Sequence, residues 1–176
     1  MELFKELNYS KYLKDHPFHL NLEVKLEEYG DLTEKIVRDK NFLVNPKNKT
    51  PISVELDDLI RLHYLATTRK VSTILEFGSG KSTVVLDHAL EINKLKHIDF
   101  YTKNLRKSNL FECHSIDTNA DWIEKTKLNN SFKNVTFHLS ACRTTTFNDR
   151  ICTMYDNLPN ISPDLIYLDG PDQFSP

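Results

Sequence analysis

The sequence predicts an α/β domain built on a parallel, doubly wound sheet, and three observations lead there. Apolar, strand-like runs recur at Val71–Phe77, Phe111–Asp117, Asn134–Leu139 and Asp164–Asp169. Between the first two, Val85, Leu86, Ala89, Leu90 and Ile92 fall at helical spacing. Strands that alternate with helices join in parallel, and near-continuous apolar strands are those covered on both faces.

The chain has 176 residues, enough for one domain with a sizeable core, and 39% hydrophobic with 27% charged residues is an ordinary globular balance. A formal net charge of -2 gives no global attraction to nucleic acid or to an anionic membrane, so neither is expected as a partner. No apolar run approaches the roughly 20 residues that span a bilayer, and the first residues lack a signal-peptide core. Three scattered cysteines, Cys113, Cys142 and Cys152, without a CxxC pair, suit reduced thiols and a cytoplasmic location. They also give no zinc pattern. His16 and His19 flank Pro17 without a second ligand pair, so no metal ligand is expected.

Residues 1–49 are expected to form an N-terminal extension and residues 50–176 the main domain. Within the extension, Phe18, Leu20, Leu22, Val24 and Leu26 alternate with polar residues, which predicts a strand followed by a helix over Asp31–Lys40, although Leu22, Leu26, Leu32 and Ile36 would also suit helices interrupted at Gly30. Asn45–Lys49 reads as a turn-rich connector. Thr50 and Pro51 open a helix whose Leu56, Leu59, Ile60 and Tyr64 share a face. The strand Val71–Phe77 comes next, then the turn Gly78-Ser79-Gly80 and a second helix. Lys94–Leu110 reads as an extended, charged insertion. After Phe111–Asp117, Thr118 and Asp121 resemble a capping box for a helix carrying Trp122 and Ile123, with Trp122 expected in the core.

Candidate site residues gather where these strands end. Ligands of open α/β sheets bind beyond the carboxyl ends of the strands. The chain has only 4 glycines, and two of them stand in the first strand-to-helix turn, with Gly170 after the last strand. Glu76-Phe77-Gly78-Ser79-Gly80 therefore lets backbone N–H groups and a helix N-terminus face a ligand; a tight structural turn would also favour glycine. Asp117 is placed to accept hydrogen bonds from a ribose diol or to cap the next helix. Asp99 is its rival on spacing. Ser140-Ala141 and Asp169-Gly170 complete the rim, and Asp169 could orient a substrate, take a proton, hold a metal or form a turn.

Taken together these residues resemble the class I S-adenosylmethionine-dependent methyltransferases, of the small-molecule type. Leu75–Gly80 is similar to their first motif, with Lys81 at the third glycine-type position, Ser115–Asp117 with Trp122 to the second-strand motif, and Asp164–Pro171 to the fourth. The resemblance implies a Rossmann-like sheet of order 3-2-1-4, the first half of that fold. It implies S-adenosyl-L-methionine as cofactor, its methionine part held by Glu76 and by the turn from Phe77 through Gly78, Ser79 and Gly80 with Ser82 behind it. Asp117 would hold the ribose, Ser140 and Ala141 would lie by the adenine, and Asp169 would assist methyl transfer to an oxygen or nitrogen of a small-molecule acceptor. The family sheet has seven strands and this chain stops after the fourth. A truncated product is therefore expected, or a strand 164–169 whose edge is covered by Phe18–Leu26 or by a second copy in a homo-oligomer.

Two other readings remain. Gly80-Lys81-Ser82 invites a P-loop, but Leu75 stands where that fingerprint needs its first glycine. A non-catalytic remnant that binds a nucleotide-like ligand or a protein is the third.

Overall fold

The computed structural model describes residues 4–5, 7–22, 55–128 and 130–170. It divides into two compact units, Met1–Ile60 with Gln173–Pro176, and Arg61–Asp172. In the first unit, α1 spans Tyr9–Asp15, and Asn8 caps it by accepting the Lys11 N–H on its side-chain oxygen at 2.9 Å. Pro17 then opens a 3-10 helix, Pro17–Leu22, so the strand expected from Phe18 is corrected over residues 18–22. Proline presets the helical φ, and that local constraint overrides the alternating pattern. Residues 23–26, the helix expected over Asp31–Lys40, the connector Asn45–Lys49 and the Thr50-Pro51 helix start lie outside the described residues.

Helix α2 spans Leu56–Thr68, with Asp57 and Asp58 in its first turn, where carboxylates suit the positive helix end. The sheet begins with β1, Thr73–Phe77. Helix α3 then runs for 24 residues, Lys81–Asn104. This corrects the extended insertion expected from Lys94, and it removes Asp99, now on an exposed helical turn, as a strand-end acid. Charge hid the helix: its outer half is solvated, while Tyr101 is buried and its hydroxyl donates to the Lys70 carbonyl. Buried Asn93 donates to the carbonyls of Ala66 at 3.0 Å and Val71 at 2.9 Å, tying α3 to the entry of β1.

Strands β2 (Glu112–Asp117), β3 (Val135–Leu139) and β6 (Leu165–Leu168) complete a four-stranded sheet of order β3-β2-β1-β6, parallel throughout. Helix α4, Ala120–Leu128, lies between β2 and β3 in sequence. Its first turn is capped by Asn119, whose Oδ1 accepts the Trp122 N–H at 3.1 Å, and not by the expected Thr118. At the amino ends of the strands, Asp164 accepts from the N–H groups of Ser72 at 2.9 Å and Thr73 at 3.1 Å and pairs with Lys107, a structural clamp opposite the rim.

One pair of strands was not expected. β4 (Cys142–Phe147) and β5 (Arg150–Tyr155) form a separate antiparallel hairpin between β3 and β6. Its two-residue turn holds Asn148 at φ 48° and Asp149 at φ 61°, the doubly positive pair that matches strand twist. The hairpin meets the main sheet through Tyr155 and Cys142, which cluster with Leu75, Ile116, Phe77 and Ile161. β6 is an edge strand: no described strand pairs with its outer side, and Ile166 and Leu168 are 60% and 71% exposed.

Candidate functional site

Because all four strands of the sheet are parallel, their carboxyl ends share one rim, and backbone contacts draw that rim tight. Gly78 N–H donates to the Ile116 carbonyl at 2.8 Å, Asp169 N–H to Phe77 at 2.8 Å and Ser140 N–H to Asp117 at 3.0 Å. Gly78 has φ +95°, and a Cβ on it would stand 3.0 Å from the Asp169 carbonyl carbon. A Cβ on Gly170 would in turn meet the Gly78 Cα at 3.1 Å. Gly78 is therefore required by its backbone, and a side chain on Gly170 would have to push the end of β1 aside by a few tenths of an ångström. Gly80 is different: a Cβ there would meet nothing nearer than the Trp122 indole nitrogen, at 3.9 Å.

Glu76 lies beneath this turn with no exposed surface. Its Oε1 accepts from Ser82 Oγ at 2.6 Å and its Oε2 from Thr83 Oγ1 at 2.7 Å. Thr83 Oγ1 also accepts the Gly80 N–H at 2.9 Å, so the first turn of α3 is latched onto the carboxyl below it. Burial pushes the Glu76 carboxyl up to about 7, against the pull of the Ser82, Thr83 and Ser115 hydroxyls and with a smaller push from the charge of Asp169. Ser79, buried, bonds Ser115 hydroxyl to hydroxyl at 2.9 Å.

Asp117 joins two loops. Its Oδ2 accepts the Ser79 N–H at 2.8 Å and its Oδ1 the Asn119 N–H at 2.9 Å. A carboxylate has roughly four lone-pair positions, so two remain for a further donor. Trp122, expected in the core, is instead 40% exposed and its indole N–H donates to the Ser79 carbonyl, on the outer side of the glycine turn.

Ser140 is buried and Ala141 exposed, and both serve the base of the hairpin. Ser140 Oγ accepts the Asn157 N–H at 3.0 Å, and the Ala141 carbonyl accepts the Asp156 N–H at 2.9 Å. Asp169 is an exposed residue whose carboxyl is held above its usual range by partial burial.

The residues that the sequence did not suggest for the site are Thr83 and Tyr155, and Ser115 was read only as part of its strand motif. Tyr155 is 8% exposed, its ring lies 5.0 Å from that of Phe77, and among the described residues its hydroxyl has no hydrogen-bond partner. Burial, then the nearby charge of Asp117, pushes this phenol up to about 12, so it is a neutral donor at physiological pH. The sequence did carry one clue to it: Asn148-Asp149 stands between two β-prone runs, Thr144–Phe147 and Ile151–Tyr155.

Comparisons with family models, with curated proteins and with solved structures give no match. Among the described residues, no helix is long and apolar enough to cross a membrane.

Proposed function

We propose that the protein binds S-adenosyl-L-methionine at this rim and transfers its methyl group to an oxygen or nitrogen of a small-molecule acceptor. The observation that carries the reading is the meeting of the Gly78–Gly80 turn, the start of α3 and the Asp117 carboxylate at the carboxyl ends of β1 and β2. The residues fit such a group. The first N–H groups of a helix lack intrahelical partners and favour a carboxylate, the anionic end of a methionine moiety. Asp117 keeps acceptor capacity for a diol, and the unpartnered Tyr155 hydroxyl offers a donor near that acid.

When bound, the group would supply an electrophilic methyl. The chain's own contribution is alignment and proton handling. Glu76 fixes the α3 start from below, and Ser79 and Asp117 fix the turn. Asp169, with its carboxyl raised, is placed to accept a proton from an acceptor at the strand end.

The P-loop reading is less well supported. Only three residues, Gly78–Gly80, separate β1 from α3, and the Ser82 hydroxyl such a loop would offer to a metal is donated to Glu76. Calorimetry with S-adenosylmethionine and S-adenosylhomocysteine tests the proposal. Asp117→Asn should weaken binding by about 1.5–3 kcal/mol, the value of a hydrogen bond to a charged group. Stabilisation by Mg-ATP alone, or binding indifferent to Asp117→Asn, would overturn it.

A further inference from the structure

Seven histidines scattered along the chain suggest nothing, yet β2 and β3 bring two of them together. In the parallel register His114 stands beside Thr136 and Ile116 beside His138, so His114 and His138 are diagonal neighbours on one sheet face. His114 Nδ1 and His138 Nε2 are 2.9 Å apart and the ring planes differ by 17°. The ring centroids are 5.1 Å apart, close to that nitrogen gap plus one ring radius at each end. The imidazoles therefore meet nitrogen to nitrogen, edge on, and not face to face.

The other end of the line fixes the tautomers. His114 Nε2 lies 3.3 Å from Glu112 Oε2, and that oxygen also accepts from Asn109 Nδ2 at 2.9 Å. An ionised carboxylate only accepts, so His114 carries its proton on Nε2 and offers a lone pair at Nδ1. A carboxylate behind an imidazole is the arrangement that orients metal-bound histidines and raises their basicity. Both rings are partly exposed and β3 is a sheet edge, so an ion has access.

We infer that His114 and His138, backed by Glu112, form a binding site for a divalent transition-metal cation of the zinc class. Imidazole nitrogens suit zinc, copper and nickel and select against magnesium and calcium. Zinc–nitrogen bonds of about 2.0–2.1 Å on a tetrahedral centre put the two nitrogens roughly 3.3 Å apart, a few tenths more than the present gap. A rotation of roughly 35° at each ring, the angle between the line that now joins the nitrogens and a bond to a tetrahedral centre, aims the lone pairs at a common point beside that line. His138 moves its proton from Nε2 to Nδ1 through solvent, with no net proton released, and water fills the remaining positions. The site stands independently of the methyltransfer proposal.

The 176-residue chain, with its accessible thiols Cys142 and Cys152 alkylated, is titrated with zinc chloride at pH 7.5 by calorimetry. One saturable site below about 1 mM metal is expected, with no response to magnesium. His114→Gln and His138→Gln should each weaken it at least tenfold, and Glu112→Gln by about tenfold, while His97→Gln leaves it unchanged. Binding should fade in acid, where protonated imidazoles lose the lone pair a metal needs. Electron paramagnetic resonance of the copper(II)-loaded protein should show two coupled nitrogens in the wild type and in His88→Gln but fewer in His138→Gln, which separates this pair from His63 and His88, whose ring nitrogens also lie 2.9 Å apart. Absence of saturable binding, affinity unchanged in His138→Gln, or a copper spectrum with fewer than two nitrogens would overturn the inference.

Discussion

Glu76→Gln isolates the effect of putting an ionisable group under the start of α3. The carboxyl moves from an ordinary value of 4.5 to about 7 on folding, and each unit corresponds to about 1.36 kcal/mol. Ionising it in the folded chain therefore costs on the order of 3 kcal/mol more than in the unfolded chain. The sign follows from proton occupancy. Below about pH 4.5 both states are protonated and nothing is lost. Between there and about pH 7 the unfolded chain has released a proton the folded chain still holds, so stability falls as pH rises, then levels off. Glutamine does not ionise and shows no such fall. Its amide donates one bond and accepts another, as the protonated carboxyl does, so the rest of the exchange shifts stability by an amount independent of pH. Urea denaturation of both proteins from pH 4.5 to 8.5 separates the two effects. The expected result is a variant that gains up to about 3 kcal/mol on the parent between the acid and alkaline ends. A difference constant with pH would refute the assignment of a near-neutral carboxyl to Glu76.

The glycines should separate cleanly: Gly78→Ala forces a side chain into positive φ and against Asp169, costing about 2 kcal/mol or more, whereas Gly80→Ala should stay within about 1 kcal/mol, both read from denaturation midpoints. In the hairpin, Asp149→Gly relieves a positive φ without loss of a contact and should stabilise by about 0.5–1 kcal/mol, while Asp149→Val should destabilise and speed amide exchange across Arg143–Met154. Trp122 is the sole tryptophan and bonds the glycine turn, so its fluorescence should change on titration with S-adenosylhomocysteine. An unaltered spectrum at calorimetric saturation would place the ligand elsewhere.

Much of the frame was legible in the sequence because it is written in local terms. The four strands of the sheet are short apolar runs, and each was read to within one or two residues of its observed ends. The Gly78–Gly80 turn was legible because Gly78, at φ +95°, has a backbone that few other residues tolerate. The second half of α3 was not, because its solvated face has no apolar periodicity to read and Tyr101 alone anchors it. The hairpin was missed because its strands are mostly exposed and its turn lacks the glycine that usually marks one.

The sequence alone determined which residues can form strands, where the chain must turn, and that acids stand at the strand ends. Only the tertiary structure decided what those acids do. Glu76 became a buried latch for Ser82 and Thr83, Asp117 a tie between two loops, and Asp164 a clamp at the opposite end, although in the sequence all are acids beside an apolar run. Partners 36 to 92 residues apart, such as Ser79 with Ser115 and Ser72 with Asp164, meet only through strand register. The same holds for His114 and His138. Burial and partnership set the protonation and direction of a polar group, and neither exists until distant segments are packed against one another.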